Sequence, residues 1–406
     1  MTQLLVSNFL LYYFLLFSPL FITTMAFEDF PPLNETSMTG NKLKTMKLIN
    51  AHLKKINRPF LKSIKTSDGD IIDCVLFNLQ LSFDLHEIKE KMSWKDPPEM
   101  PKGHDNTKME TEIKQLWSSK GESCPNGTIP IRRTTASDVL RSMSISKSGK
   151  NVGEMKYPGA QNHKHAIAET QGEFHGAKAT LNLWKPNVVG DDFSLSQIWV
   201  ISNTNVDQTL EAGWHVFPSL NNKDNNPRLF NYWTADGYDR SGCYNLRCPG
   251  FVQTNNRIAL GAALGPISMY NGAQYDISFL IWKDPRSGDW WLKVGSEVIG
   301  YWPQTLFTDL RDHATLLEYG GEVYSPNLGT HTLTPMGSGH FPTEGFGKAA
   351  YARNLEMVGL DDMLHPVSSF SLIAEKPDCY TAIKGYTKDW GGYIFFGGPG
   401  NNPNCP

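Results

Sequence analysis

Charge is scarce in this 406-residue sequence and neither sign prevails: 19% of residues are charged and the formal net charge is −3. So near-neutral a balance gives no electrostatic basis for binding nucleic acid or an anionic membrane surface. Cysteines are few, six in all, and none falls in paired CxxC spacing with accompanying histidines, which argues against the common zinc frameworks. No P-loop or dinucleotide fingerprint follows a strand-like run. No GxSxG elbow occurs in a strand–turn–helix setting. Ser338-Gly339-His340 invites a serine-hydrolase reading, but a Ser and a His two residues apart rarely satisfy triad geometry. Beyond the N-terminus no stretch is long and apolar enough to cross a bilayer, and no internal repeat of roughly 20–50 residues stands out.

What is present begins with an export signal. Leu4 to Met25 are uncharged and mostly apolar, and Ala26 precedes the acidic Glu28-Asp29. A cleaved signal peptide over 1–26 is the reading adopted, although a basic n-region is missing; an uncleaved anchor is the alternative. Export lets all six cysteines pair. Proximity along the chain predicts Cys74–Cys124, Cys243–Cys248 and Cys379–Cys405. Asn34-Glu35-Thr36 and Asn126-Gly127-Thr128 are glycosylation sequons. After signal removal no membrane partner is expected.

Thirty-five glycines, 25 prolines and 12% aromatics fit a turn-rich β protein. The chain divides unevenly. Residues 27–135 hold a lysine-rich stretch, 41–65, whose apolar positions recur at helical spacing (Leu43, Met46, Ile49, Leu53, Ile56). A second short helix is expected around Thr111 to Ser118, and the Cys74–Cys124 bridge would tie this part into a small α+β domain. Residues 136–164 read as an exposed, cleavable linker rich in Ser, Lys, Gly and Asn. Within it, His163-Lys164-His165 could bind a metal but lacks an obvious third ligand, and a solvated polar tract is the plainer reading. From His165 to the end, apolar runs alternate with turn signals such as Asn271-Gly272 and Ser287-Gly288-Asp289. Many short strands argue for an all-β sandwich or curved antiparallel sheets, with helix expected only at Thr305 to Asp312.

Two segments within that β region carry carboxylates in strand-forming surroundings: Glu211-Ala212-Gly213-Trp214 and Glu318-Tyr319-Gly320-Gly321-Glu322-Val323. A lone buried charge is costly unless paired or neutralised, so two such segments suggest a carboxylate pair. Strand alternation puts Glu318, Gly320 and Glu322 on one face, and Glu211 with Gly213 opposite Trp214. The glycines bare the surface beside each acid, leaving room for a substrate backbone. The bland alternative is a solvated or cross-strand ion-paired Glu.

An ordered set of motifs then resembles the plant neprosin family. Phe193-Ser-Leu-Ser-Gln-Ile-Trp199, Glu211-Ala-Gly-Trp214, Arg228-Leu-Phe-Asn-Tyr-Trp-Thr234, Gly320-Gly-Glu-Val323 and Met336-Gly-Ser-Gly-His-Phe-Pro342 lie in the mature part. Asp70-Ile-Ile-Asp-Cys-Val75 and Gly127-Thr-Ile-Pro-Ile-Arg-Arg133 resemble its propeptide. The resemblance implies a propeptide domain over 27–135, a linker over 136–164 and a peptidase domain over 165–406. It implies an antiparallel β-sandwich of two curved sheets with a concave active-site cleft. The activity implied is that of a secreted, acid-activated glutamic endopeptidase cutting after proline, in the apoplast, cell wall or vacuole. Glu211 carries over as the first catalytic glutamate and Glu322 as the second, with Glu318 the alternative. Trp214, Tyr232, Trp290 and Trp302 are candidate substrate-binding residues, the last three for packing on a proline ring, with a structural role competing for each of those three. No metal or organic cofactor is required. The expected partners are proline-containing peptides or proteins, and the chain's own propeptide as inhibitor. The rival function is a non-catalytic β-sandwich binding cell-wall glycan or peptide.

Overall fold

The computed structural model describes residues 40–89, 97–103, 114–145, 162–221, 224–326 and 333–405. The signal segment, Asn34 and residues 146–161 of the linker lie outside them. The N-terminal part packs helix α1 (Gly40–Ile56) and a three-stranded sheet of β1 (Phe60–Lys65), β2 (Ile71–Leu76) and β3 (Thr128–Arg132). The helix stops nine residues short of its expected end (residue 65), because Pro59 disfavours helical backbone at the residue before it; Phe60–Lys65 is a strand instead. A one-turn helix α2 (His86–Lys89) follows. Of the expected second helix, residues 111–113 are outside the described set and Leu116–Ser118 form a single 3₁₀ turn.

The linker is not patternless either. Its first part is helix α3 (Ala136–Ile145), entered through a reciprocal cap: Asp138 N donates to Thr135 Oγ1 and Thr135 N donates to Asp138 Oδ2 at 2.8 Å. Ile49 and Leu53 of α1 bury against Val139 of α3.

The remainder is a sandwich of two antiparallel sheets. Its strands in chain order are β4 (His163–Phe174), β5 (Gly176–Asn182), β6 (Phe193–Ser202), β7 (Gln208–Val216), β8 (Arg228–Thr234), β9 (Cys243–Tyr244) and β10 (Val252–Gln253). There follow β11 (Asp276–Lys283), β12 (Trp290–Val294), β13 (Glu297–Trp302), β14 (Ala314–Tyr324) and β15 (Ala350–Val358). The last are β16 (Leu364–Pro366), β17 (Ser371–Ala374), β18 (Thr381–Thr387) and β19 (Gly391–Gly397). The seven-stranded sheet runs β17-β4-β14-β6-β7-β8-β9; the nine-stranded sheet runs β10-β13-β12-β11-β5-β15-β19-β18, with β16 beside β15. In place of the helix expected at 305–312 there is one 3₁₀ turn, Gln304–Leu306.

The core lies between the sheets. Ile198, Val200, Leu210, Ala212 and Trp214 of the smaller sheet meet Leu181, Phe279, Ile281, Leu292 and Trp302 of the larger. Every residue of β6, β7 and β8 is buried, so these strands are covered on both faces, and their second face carries the polar groups described below. The structure contains the bridges Cys74–Cys124, Cys243–Cys248 and Cys379–Cys405. Asn126 lies exposed in the turn before β3.

The N-terminal part is docked firmly. Phe77, Phe83, Ile88 and Ile129 bury against Val252, Leu280, Trp282, Trp291 and Tyr301, on the outer side of the larger sheet. Gln80 and Gln253 exchange two hydrogen bonds of 2.9 Å, and Gln115 and Ala259 two of 2.8 Å. Buried Asp70 accepts from Arg132 Nε at 2.8 Å and pairs with Arg228 on β8.

Candidate active site

Three adjacent strands build the site. Across β14, β6 and β7, the residues Glu318, Trp199 and Glu211 stand in one row, and Glu322, Leu195 and His215 in another. Between the rows, Gly320, Gln197 and Gly213 are in register. Period-2 alternation puts all of these on the face away from the inter-sheet core. The two glycines are demanded by the close approach of their neighbours. A Cβ on Gly213 would fall 2.0 Å from Ser196 O, and Gly320 holds φ +147°, where a Cβ would meet Ala166 O at 2.6 Å. The glycines therefore serve close strand packing and do not bare a surface, and the diagonal from Glu211 to Glu322 has buried Gln197 at its middle. Glu318 is separated from Glu211 by the indole of Trp199.

Glu211 is buried among uncharged donors. Thr209 Oγ1 and the Tyr238 hydroxyl donate to its Oε1 at 2.8 and 2.9 Å, and Gln197 Nε2 donates to Oε2 at 3.1 Å. Burial, and then the charge of Glu322, push its pKa up to about 7; the three donors oppose that rise. Among the described residues Gln197 Oε1 is buried with no protein partner, leaving an acceptor open beside the acid.

Glu322, fully buried, is approached by two histidines. His163 Nδ1 hydrogen-bonds its Oε1, and His165 Nε2 lies 3.8 Å from its Oε2. His165 Nδ1 is in turn 2.9 Å from Glu375 Oε1, beyond the end of β17. Burial alone would lower the His165 pKa, but the Glu375 hydrogen bond and the charge of Glu322 prevail and raise it to about 9. Glu318, half-buried on the same face, is raised by burial to about 7, against the pull of His165. The reading of His163-Lys164-His165 as a solvated tract is therefore corrected: both histidines belong to β4, and His163 is only 3% exposed. Pairing with β14 over ten register positions draws that strand into the sheet, which residue composition could not reveal.

The aromatic candidates divide. Tyr232 stands opposite Glu211 on β8, on the acid face, in contact with the rings of Tyr238 and Tyr244. Trp214, Trp290 and Trp302 do not line the site. Each is fully buried between the sheets, where Trp214 Nε1 donates to Asn182 O and Trp290 Nε1 to Leu310 O. Strand parity accounts for this in Trp214, an odd number of residues from Glu211. The other two belong to the opposite sheet. Gln197, Thr209 and Tyr238 went unread because none is chemically unusual by itself; only register brings them to the acids.

A sandwich sheet whose outward face carries buried, mutually coupled carboxylates defines a class: a β-protein equipped for acid–base chemistry. The Neprosin family model matches residues 190–399, and the Neprosin activation peptide model matches residues 63–177. The chain belongs to the neprosin family and has the organisation of a protease zymogen, an activation peptide ahead of a peptidase domain. Among solved structures, a scytalido-glutamic peptidase with a peptide-based transition-state analog aligns with 59% of this chain and 98% of its own, at 11% identity and a TM-score of 0.32. SCP-B, of the eqolisin peptidases, in complex with a tripeptide, aligns over the same shares at 10% identity and 0.31. A chicken liver agglutinin aligns with 39% of this chain and 94% of its own, at 10% identity and 0.23. Likenesses this remote bear on neither activity nor site.

Proposed function

We propose that this protein is a secreted glutamic endopeptidase that cleaves after proline, with Glu211 and Glu322 as its catalytic pair. The observation carrying this reading is the pair itself: two buried carboxylates on one sheet face, electrostatically coupled, with Gln197 between them. Two such groups do not both ionise cheaply, so the pair keeps one proton over an acidic range, and its apparent pKa values belong to the pair. The proton sits on Glu211, whose surroundings raise it. Glu322 takes a proton from water, which attacks the scissile carbonyl. Glu211 hydrogen-bonds the carbonyl oxygen and then protonates the departing amine. Gln197 steadies Glu211 through Nε2 and offers Oε1 to the attacking water or a substrate N–H.

Glu322 is preferred to Glu318 because Trp199 stands between Glu318 and Glu211, whereas only Gln197 and glycine positions occupy the other diagonal. Tyr232, itself buried with Tyr238 and Tyr244 against it, is the one aromatic candidate that stands on the acid face beside Glu211. The N-terminal segment, docked through some of the most buried contacts in the chain, supports latency until the linker is cut. The test is cleavage of peptides differing only in Pro or Ala before the scissile bond, between pH 3 and 7, by the wild type, Glu211→Gln and Glu322→Gln. Loss of cleavage in both variants and preference for Pro are expected. Full activity in Glu211→Gln would end the two-glutamate reading, and failure to cleave at any pH would favour a binding protein.

A further inference from the structure

The contacts to Glu322 carry an assignment beyond the two acids, resting on the reading above. Glu322 is reached from β4, the strand that follows the linker, by His163 Nδ1 on Oε1 and by His165 Nε2 at 3.8 Å from Oε2. The rings of the two histidines are stacked, with centroids 6.4 Å apart. His163 is walled in by Phe193 and Tyr324, and His165 by Trp199. Glu375 fixes His165 from behind twice, accepting from its backbone N at 2.5 Å and facing Nδ1 at 2.9 Å. Other ionisable groups acting on this carboxylate include Glu211 from β7, Glu318 on its own strand and Tyr244 of β9; the residues of β6 on this face are Leu195, Gln197 and Trp199. Glu211, by contrast, receives hydrogen bonds from hydroxyl and amide groups alone.

We propose that His163 and His165 are positioning residues that hold Glu322 aimed and ionised, with Glu375 anchoring His165, and thereby fix Glu322 as the base and Glu211 as the acid. Neither histidine touches the reacting bond. Their effect passes through the carboxylate: a cationic or donating neighbour within hydrogen-bond reach favours the charged form of an acid. A second consequence concerns maturation. The arrangement exists only while β4 keeps its first residue, so the cut that frees the peptidase domain must fall before His163.

The experiment measures kcat/KM against pH, with a proline-containing peptide, for the processed wild type, His163→Ala, His163→Asn, His165→Gln, Glu375→Gln and Glu211→Gln. The acid limb of such a profile reports the base in the free enzyme. In His163→Ala and His165→Gln that limb is expected to move toward higher pH by about one unit or more, with activity lost chiefly at low pH. His163→Asn, which returns a neutral donor near the Nδ1 position, recovers part of the shift. Glu375→Gln, an exposed change that leaves folding intact, moves the limb in the same direction by less. A uniform fall in rate with an unmoved acid limb in His165→Gln and Glu375→Gln would overturn the assignment and leave the histidines structural. The Glu211→Gln arm separates the two levels: if it remains active, the two-glutamate reading fails; if it is dead while the histidine variants keep a wild-type limb, only the positioning role fails. N-terminal sequencing of the active form gives the second check, since an active enzyme beginning after His165 would exclude the proposal.

Discussion

Residues 211 and 214 of β7 lie three positions apart and have opposite fates. Glu211 faces outward, among Thr209, Tyr238 and Gln197; Trp214 faces inward, in the core between the sheets. Both are almost completely buried, so burial does not distinguish them. The difference lies in what surrounds each. The inner face is apolar and close-packed, where lost volume costs stability. The outer face sets the buried acids Glu211 and Glu322 beside an apolar cluster that includes Phe193, Leu195 and Trp199. The face of the sheet thus decides which surroundings a buried residue meets.

The comparison can be broken by mutation. The largest expected effect is on the outer face: Glu211→Gln or Glu322→Gln lowers kcat by about 10³-fold, within the 10²–10⁴ of a group that moves a proton, while the denaturant midpoint of Glu211→Gln holds or rises. On the inner face, Trp214→Ala is expected to cost about 3–5 kcal/mol of stability in urea unfolding, with the residual folded enzyme retaining its pH profile. A change in profile there, or a large stability loss in Glu211→Gln, would dissolve the distinction between the faces.

The pH dependence follows from the direction of the Glu211 shift. Its folded pKa is raised from 4.5 to about 7, so the native state holds a proton that the unfolded chain has released across that window. Stability from this group is therefore fully present below about 4.5 and is lost as pH rises through about 7. Activity that needs the proton on Glu211 declines over the upper part of the same window. Thermal unfolding of the wild type and Glu211→Gln from pH 4 to 8 checks the sign: the variant lacks this component of the slope.

Smaller effects test the limits of the site. Tyr238→Phe removes a donor that opposes the raised Glu211 pKa, so the basic limb is expected to move upward by a fraction of a pH unit, with the fold unchanged. Glu318→Gln, with Trp199 between it and Glu211 in the strand register, is expected to change kcat/KM by less than about tenfold, below the range of a proton-transferring group. A loss as deep as that of Glu322→Gln would reverse the choice of second acid.

Much of this molecule was legible without coordinates. Alternating apolar runs and turn residues point to an all-β sandwich, because period-2 patterning depends on local geometry alone. Parity along β7 separates Glu211 from Trp214, and parity along β14 puts Glu318 with Glu322. Proline at position 59, which went unread, ends a helix that apolar spacing alone overextended. The Thr135-x-x-Asp138 cap, which opens a helix in what composition presented as linker, was a local signal left unread.

The rest required long-range contacts. Strand order is not written in any single strand: β4 takes its place beside β14 across some 150 residues of chain, and only then do His163 and His165 meet Glu322. Which tryptophans fill the core depends on which sheet each joins. Gln197 acquires a role by standing opposite two glycines from different strands. Local sequence determined the faces, since side-chain direction alternates with each residue; tertiary structure decided which faces meet, since register and sheet order are set by the packing of the whole sandwich.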